Sequence, residues 1–324
     1  MCKTIKNSYD KKLTFIKLIE AHYRAVEGKR NKVEILKFEQ DLETNISNIL
    51  FNLKNNTYRL GKYREFIIYE PKKRVIKSLP YKDRIVHQWY IYEFIKPFVI
   101  SRFIKNTYAC VDGRGKHLCV LDTKKFMKDM YNKYGSYYVI KGDIKKYFYN
   151  IDKQILFNIM KKYISDKKLI NLTKILIYDT LDIKGIPIGN YTSQYFANIY
   201  LNELDHFIKD NLKVKYYLRY MDDFVIMLPS KEECKYILDK IRIFLKDELK
   251  LELNHKTRYY PSKFGINFCG YIIHENYVLI RKRCKKKIKE KIKDGTFLFK
   301  NYYGHLKHAN CYNFINKVYK SFQK

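Results

Sequence analysis

Three aspartates stand where metal-ion chemistry could be done. Asp143 closes an apolar run, Tyr138-Val139-Ile140-Lys141-Gly142-Asp143. Asp222 and Asp223 lie between two more such runs, Tyr217-Leu218-Arg219-Tyr220 and Phe224-Val225-Ile226-Met227. Adjacent carboxylates at the tip of an apolar hairpin repel each other, and a bound cation relieves that cost. A pair of Mg2+ ions about 3.5–4 Å apart is one such solution, with carboxylates and substrate phosphates as ligands. One ion would lower the pKa of an attacking hydroxyl. The other would stabilise the leaving oxygens of an in-line phosphoryl displacement. The plain alternative is turn chemistry, since Asp is common in turns. Against it, the doublet follows Tyr-Met, sits in a hydrophobic hairpin and has a partner Asp at a strand end.

Strands and helices must carry these groups. Tyr137 to Ile144 reads as a strand ending at Asp143, and Tyr216 to Leu228 as two short strands folded over Asp222-Asp223. Residues 62–79 alternate around Pro71, which predicts a hairpin of Tyr63 to Tyr69 and Val75 to Leu79. A further hairpin is expected over 264–280. Helices are expected over 10–60 with a break at Gly28-Lys29-Arg30-Asn31, and over 83–105, 152–181, 191–210, 232–249 and 281–293. Gly185 to Gly189 reads as a turn. Strands alternating with helices, with acids where strands end, give an α+β class.

Composition narrows the partners. The 324 residues suggest about two domains. The net charge of +33 would gather polyanions, nucleic acid first and an anionic membrane second. The basic residues are 53 Lys and 13 Arg, and that bias, with frequent Tyr, Ile and Asn, matches an AT-rich genome. Part of the excess is therefore drift, yet the chain stays strongly basic. Seven Cys form no C-x-x-C pair, so neither a zinc site nor a disulfide framework is expected and a cytoplasmic setting fits. Met1-Cys2-Lys3-Thr4 opens no signal-peptide core, and no window reaches 18 uncharged apolar residues. A peripheral membrane protein would need a long amphipathic helix rich in Trp and Phe. Here the single Trp lies at 89, so no membrane partner is expected.

With these residues in view, the sequence resembles the reverse transcriptases. Tyr220-Met221-Asp222-Asp223 resembles the family's Y-x-D-D hairpin, and Gly142-Asp143-Ile144-Lys145-Lys146-Tyr147-Phe148 resembles its first palm motif. The resemblance implies a right-hand polymerase architecture with fingers, a palm built on an antiparallel sheet, and a helical thumb. It implies Asp143, Asp222 and Asp223 as catalytic residues. They, with the Ile144 backbone carbonyl, would hold two Mg2+ ions, Mn2+ being the alternative. Phe148 falls where the family carries its sugar steric gate; ordinary core is the other reading. The segment Gly185-Ile186-Pro187-Ile188-Gly189-Asn190-Tyr191-Thr192-Ser193-Gln194 departs from the common P-Q-G-x-x-x-S-P. Ile188 replaces Gln, and Gln194 replaces Pro. That pattern is similar to the enzymes of diversity-generating retroelements, where the outcome is error-prone copying, mainly opposite template adenines. Gly189 would let backbone approach the nascent base pair, and Ile188 would meet that pair without an amide.

Pro71 to His87 resembles the fingers segment, with Arg74 and Lys73 as triphosphate ligands; Arg84 is read as structural or as a further contact. Tyr108 to His117 resembles a Gly-rich basic turn before a helix, with Arg114 and Lys116 toward nucleic acid. Leu251 to Thr257 resembles the motif whose Lys, here Lys256, lies near the pyrophosphate, its spacing one residue tight. Phe268-Cys269-Gly270-Tyr271 resembles the primer grip, and Gln194 joins it as a template or primer contact. His305 and His308 have metal-like spacing but no accompanying Cys or acid, so packing or RNA contact is expected. The implied boundaries are a basic helical extension (1–60), fingers (61–136), palm (137–274, with fingers-side helices around 152–181) and thumb (275–324).

The function implied is RNA-directed DNA polymerase, of the retroelement kind. The partners would be an RNA template, a DNA or RNA primer, dNTPs and a small basic accessory protein. The alternative is a defence-associated or group II intron-like reverse transcriptase. Intron enzymes usually continue past the thumb into a maturase region, so with this sequence stopping at Lys324 splicing help is the lesser expectation, and no retron-type recognition motif is found. A catalytically dead RNA-binding relative would lack Asp143 or Asp222, and both are present.

Overall fold

The computed structural model describes residues 4–69, 73–180 and 182–320. The chain forms two compact units. The first comprises Met1–Ile104, Lys146–Asp205 and Leu245–Leu251; the second comprises Lys105–Lys145, His206–Phe244 and Glu252–Lys324.

In the first unit, helices Phe15–Val26, Val33–Gln40 and Leu42–Lys54 precede a two-stranded ribbon. Strands β1 (Arg64–Ile68) and β2 (Arg74–Ser78) pair antiparallel, with Ile67 opposite Val75. Pro71, expected at the bend, lies outside the described residues. Helix Tyr81–Tyr90 buries Ile85, Trp89 and Tyr90. The Trp89 ring packs edge-on to Tyr9 and Phe94, and its Nε1–H donates to the Lys12 carbonyl at 2.9 Å. The helix expected over 83–105 widens into a π turn at Ile91–Ile95, continues as the short helical turn Lys96–Phe98 and ends in a 3-10 turn at Ile100–Arg102. Pro97 has no N–H to give the Glu93 carbonyl; the Lys12 ammonium bonds that carbonyl instead. The helix expected over 152–181 is two helices, Lys153–Tyr163 and Lys167–Ile177. Between them Ile164 bridges to Ile5, and Asp166 caps the second helix at Leu169 while accepting the Ser8 and Tyr9 N–H groups. Helix Tyr191–His206 buries Phe196, Tyr200 and Leu204 as its stripe predicts.

The second unit holds the larger sheet. Strands β3 (Tyr138–Asp143), β4 (Tyr217–Tyr220), β5 (Asp223–Leu228) and β6 (Arg258–Pro261) lie in the order β4-β5-β3-β6, all antiparallel. Strand β6 has no strong alternation, and its closing Pro261 suits the sheet edge it occupies. Strands β7 (Ile266–Phe268), β8 (Tyr271–Ile273) and β9 (Val278–Ile280) make a second sheet, so the expected hairpin gains a third strand. Both sheets share one core with helix Lys116–Tyr134 and the C-terminal helices. Met127, Val139, Val225, Phe268, Tyr271, Ile288 and Leu306 meet there.

Candidate active site

The site is built on β3, β4 and β5. Asp143 ends β3 directly opposite Asp223, the first residue of β5. Tyr220, the last residue of β4, also pairs with Asp223, so Met221-Asp222 form a two-residue bend. Met221 takes a left-handed φ of +58°, which costs energy in a residue with a side chain. Arg219 holds the bend closed: its fully buried guanidinium donates to the Met221 carbonyl at 2.9 Å.

Gly142 explains how the carboxylates come side by side. A Cβ there would lie 2.0 Å from the Phe224 ring. The ring therefore lies flush on the β3 backbone one residue before Asp143. On the other edge, the Asp143 N–H donates to Thr257 Oγ1 at 3.1 Å, and the Thr257 hydroxyl donates back to the Asp143 carbonyl at 3.2 Å. The Asn254 N–H donates to that carbonyl too, at 2.8 Å. Ile144 bridges to Leu253. The Asn254–Thr257 turn thus clamps Asp143 from behind, with Lys256 exposed on it. Thr257 is a site residue that the sequence reading missed; its signal was a hydroxyl beside the quoted Lys256.

Charge is finely balanced here. Lys141 holds Asp223 at 2.5 Å. Asp222 is pushed up to about 6, first by burial, then by the charges of Asp223 and Asp143. Among the described residues no three His, Cys, Asp or Glu side chains stand together as a ready-made ion cage. Mg2+ does not require one, since it is usually held by one or two carboxylates plus substrate phosphates and water. Asp222 suits that role, since a carboxyl raised by burial and by its anionic neighbours is one that a cation would stabilise in its charged form, and Asp143 stands across from Asp223 beside it. Arg281, which opens helix Lys282–Lys293, feels the Asp223 charge, and among the described residues its buried Nε has no hydrogen-bond partner.

The β7–β8 turn stands in the same unit. Cys269 and Gly270 make a two-residue turn with φ +48° and +93°, the pattern of a tight hairpin. Phe268 and Tyr271 are buried anchors, so only Cys269 and Gly270 face outward. The Lys116 ammonium lies 3.3 Å from His305 Nδ1 and over the Tyr271 ring. His305 is pushed down to about 4, chiefly by burial, with Lys116 adding to it. His305 therefore packs as a neutral ring at neutral pH. His308 stacks on His117 at 3.7 Å. Arg114 Nη1 donates to the Thr107 carbonyl at 2.8 Å.

The remaining candidates lie in the first unit. Lys73 and Arg74 are exposed at the start of β2. Phe148 is half-buried, its ring edge-on to Tyr147. Ile188 and Gly189 lie on a turn bonded to two segments. The Ile186 N–H donates to the Phe148 carbonyl at 2.9 Å, and the Lys77 N–H of β2 donates to the Ile188 carbonyl at 2.9 Å. Gly189 has φ +126°, and a Cβ on it would lie 2.6 Å from the Lys77 carbonyl oxygen. Only glycine lets the turn sit this close to β2. Gln194 is exposed in the first turn of helix Tyr191–His206. Arg84 forks onto Glu34 at 2.7 and 3.2 Å and is a strut between helices. A groove of about 1260 Å³ in this unit is lined by Lys29, Lys32, Lys62, Arg64 and Lys82, against Glu34, which Arg84 already holds.

Residues 62–273 match the family described as reverse transcriptase (RNA-dependent DNA polymerase). The group II intron-encoded protein LtrA of Lactococcus lactis is 24% identical over 308 residues, covering 71% of this chain and 50% of the relative. Protein YkfC of Escherichia coli is 26% identical over 245 residues, covering 63% of this chain and 62% of the relative. The chain spans about half the length of the first of these and under two thirds of the second. Among solved structures, the apo telomerase of Candida tropicalis truncated from its C-terminal domain matches at a TM-score of 0.51 and 15% identity, over 73% of this chain and 60% of that one. At that identity the likeness shows the fold alone: the α+β right-hand polymerase architecture.

Proposed function

The chain belongs to the reverse transcriptase family, and from that premise we propose that it is an RNA-directed DNA polymerase of the error-prone retroelement kind. The observation that carries the polymerase reading is the cross-strand pairing of Asp143 with Asp223, with Asp222 in the bend beside them. Two Mg2+ ions, or Mn2+, bound there by Asp143, Asp222 and Asp223 with the Ile144 carbonyl would activate the primer 3′-hydroxyl and neutralise charge on the phosphates. The chain's own residues do the rest. Gly142, Phe224 and Thr257 fix where the Asp143 carboxylate stands. Arg219 fixes the bend that carries Asp222. Lys141 neutralises Asp223 until substrate arrives. Cys269 and Gly270, with Lys116 behind them, support the primer end. Arg114 and Gln194 join them along the template–primer duplex. Lys73, Arg74 and Lys256 meet the triphosphate, and the Phe148 ring excludes a ribose 2′-hydroxyl.

The net charge of +33 and the basic groove suit an RNA template held mainly through its phosphates. The groove lies among the 1–60 helices and the 61–136 segment, which we read as extension and fingers, with palm and thumb following as 137–274 and 275–324. Among the described residues no disulfide joins the cysteines, which suits a reducing cytoplasm. Among the described residues no helix is long and apolar enough to cross a membrane.

The retroelement assignment rests on Ile188. Its backbone carbonyl is committed to Lys77, and its side chain is apolar and half-buried, so no amide stands at the nascent pair. A small basic accessory protein would complete such an enzyme. The similarity to the intron-encoded protein LtrA favours a second reading, a group II intron-like enzyme. Primer extension on an RNA template tests both. Asp222→Asn abolishes extension and largely spares RNA binding; normal extension by that variant removes the metal assignment. Ile188→Gln lowers misincorporation opposite adenine; an unchanged error spectrum favours the second reading.

A further inference from the structure

The first unit contains a buried polar centre with no role so far. Lys153 and Asp179 pair at 3.4 Å, with side chains 0% and 1% exposed. A pair this deeply buried adds little net stability, because desolvation offsets its attraction. Lys153 also donates to the Thr180 hydroxyl at 2.7 Å and to its carbonyl at 3.2 Å. The second Asp179 oxygen accepts the Tyr63 hydroxyl. Asn190 Nδ2 donates to that same hydroxyl at 2.6 Å and reaches Asp179 at 3.4 Å. Burial pushes the Asp179 carboxyl up, and Tyr63 and Lys153 pull it back.

The placement of these arms is telling. Tyr63 is the residue before β1, at the root of the ribbon that carries Lys73 and Arg74. Asn190 follows Gly189 directly. The same turn is bonded to the Phe148 carbonyl by Ile186 and to β2 through the Ile188 carbonyl. The ribbon and the Ile188–Gly189 turn meet at one carboxylate, and Phe148 is tied to that turn.

We propose that Asp179, with Lys153 as counter-ion and Tyr63 and Asn190 as arms, is a positioning centre that sets nucleotide selectivity at Ile188 and Phe148. This rests on the polymerase reading. The hydrogen bonds to the buried carboxylate are charge-assisted and directional. Removing an arm leaves that carboxylate short of a donor, and the turn shifts to satisfy it. Neither arm belongs to the second unit, which carries the three aspartates.

The test uses the full chain with an RNA template, a DNA primer and single nucleotides, in wild type, Tyr63→Phe and Asn190→Ala. The readouts are two ratios of kcat/KM: matched against mismatched dNTP, and dNTP against rNTP. The active fraction cancels from both, so a merely destabilised protein leaves them unmoved. Each variant is expected to lower the match ratio by about tenfold, the scale of one lost hydrogen bond to a charged group. The double variant should fall no further than the worse single one, because both act through Asp179. If Tyr63→Phe fails to fold, Asn190→Ala, which keeps the Tyr63–Asp179 bond, carries the same test. Extension with both ratios within twofold of wild type overturns this inference alone. No extension by the wild type overturns the polymerase reading and this inference with it.

Discussion

Replacing Asp222 with Asn should make the metal-free protein more stable. The Asp222 carboxyl is raised from 3.8 to about 6 by burial, Asp223 and Asp143. A folded-state pKa above the unfolded value means that the folded chain holds the proton more tightly. The associated stability is fully present below about pH 4 and is lost as the pH rises through about 6. A shift of about 2 units corresponds to roughly 3 kcal/mol at most. Partial exposure to solvent reduces the expected gain to about 1–2 kcal/mol. Asn keeps the shape and cannot ionise, so above pH 6 the variant escapes the penalty. The assay is urea unfolding in EDTA at pH 4, 5, 6 and 7.5, repeated with Mg2+. The variant should match wild type at pH 4 and exceed it at pH 7.5. Mg2+ should stabilise wild type and leave the variant nearly unchanged. A variant less stable than wild type at pH 7.5 without metal, or equally stabilised by Mg2+, would mean that the Asp222 carboxylate neither carries this penalty nor holds the ion.

Gly142→Ala should cost more than about 3 kcal/mol, because its Cβ would lie 2.0 Å from the Phe224 ring; Phe224→Leu should restore part of that loss in unfolding assays. Thr257→Val keeps the shape but removes both bonds to the Asp143 backbone, so kcat should fall about tenfold or more with RNA affinity unchanged. Extension by wild type should fall as the pH drops below about 6, and added Mg2+ should move that limb to lower pH, because the ion competes with the proton for Asp222.

Much of the site was legible in the sequence because strand periodicity and turn chemistry are local. The β3 run and the hairpin turn at Cys269-Gly270 appear where they were expected, while the bend expected over Asp222-Asp223 falls one residue earlier, at Met221-Asp222, because Asp223 pairs with Tyr220 and opens β5. What the sequence hid depends on distant partners. Thr257 reaches Asp143 across 114 positions, and Tyr63 reaches Asp179 across 116. No spacing rule pairs such residues. The break between Tyr163 and Lys167 was hidden for the same reason, since Asp166 caps a helix and also receives Ser8 and Tyr9 from far upstream. Arg219 reads as one cation among 66 basic residues. Only its complete burial against the Met221 carbonyl marks it as structural.

The most direct measurement is a count of bound Mn2+ by electron paramagnetic resonance. It would use the protein with an RNA template, a 3′-deoxy-terminated primer and the matching dNTP. Wild type should bind two ions tightly, with at least one lost in Asp143→Asn while the RNA stays bound. Two ions held equally tightly by that variant would contradict the metal assignment.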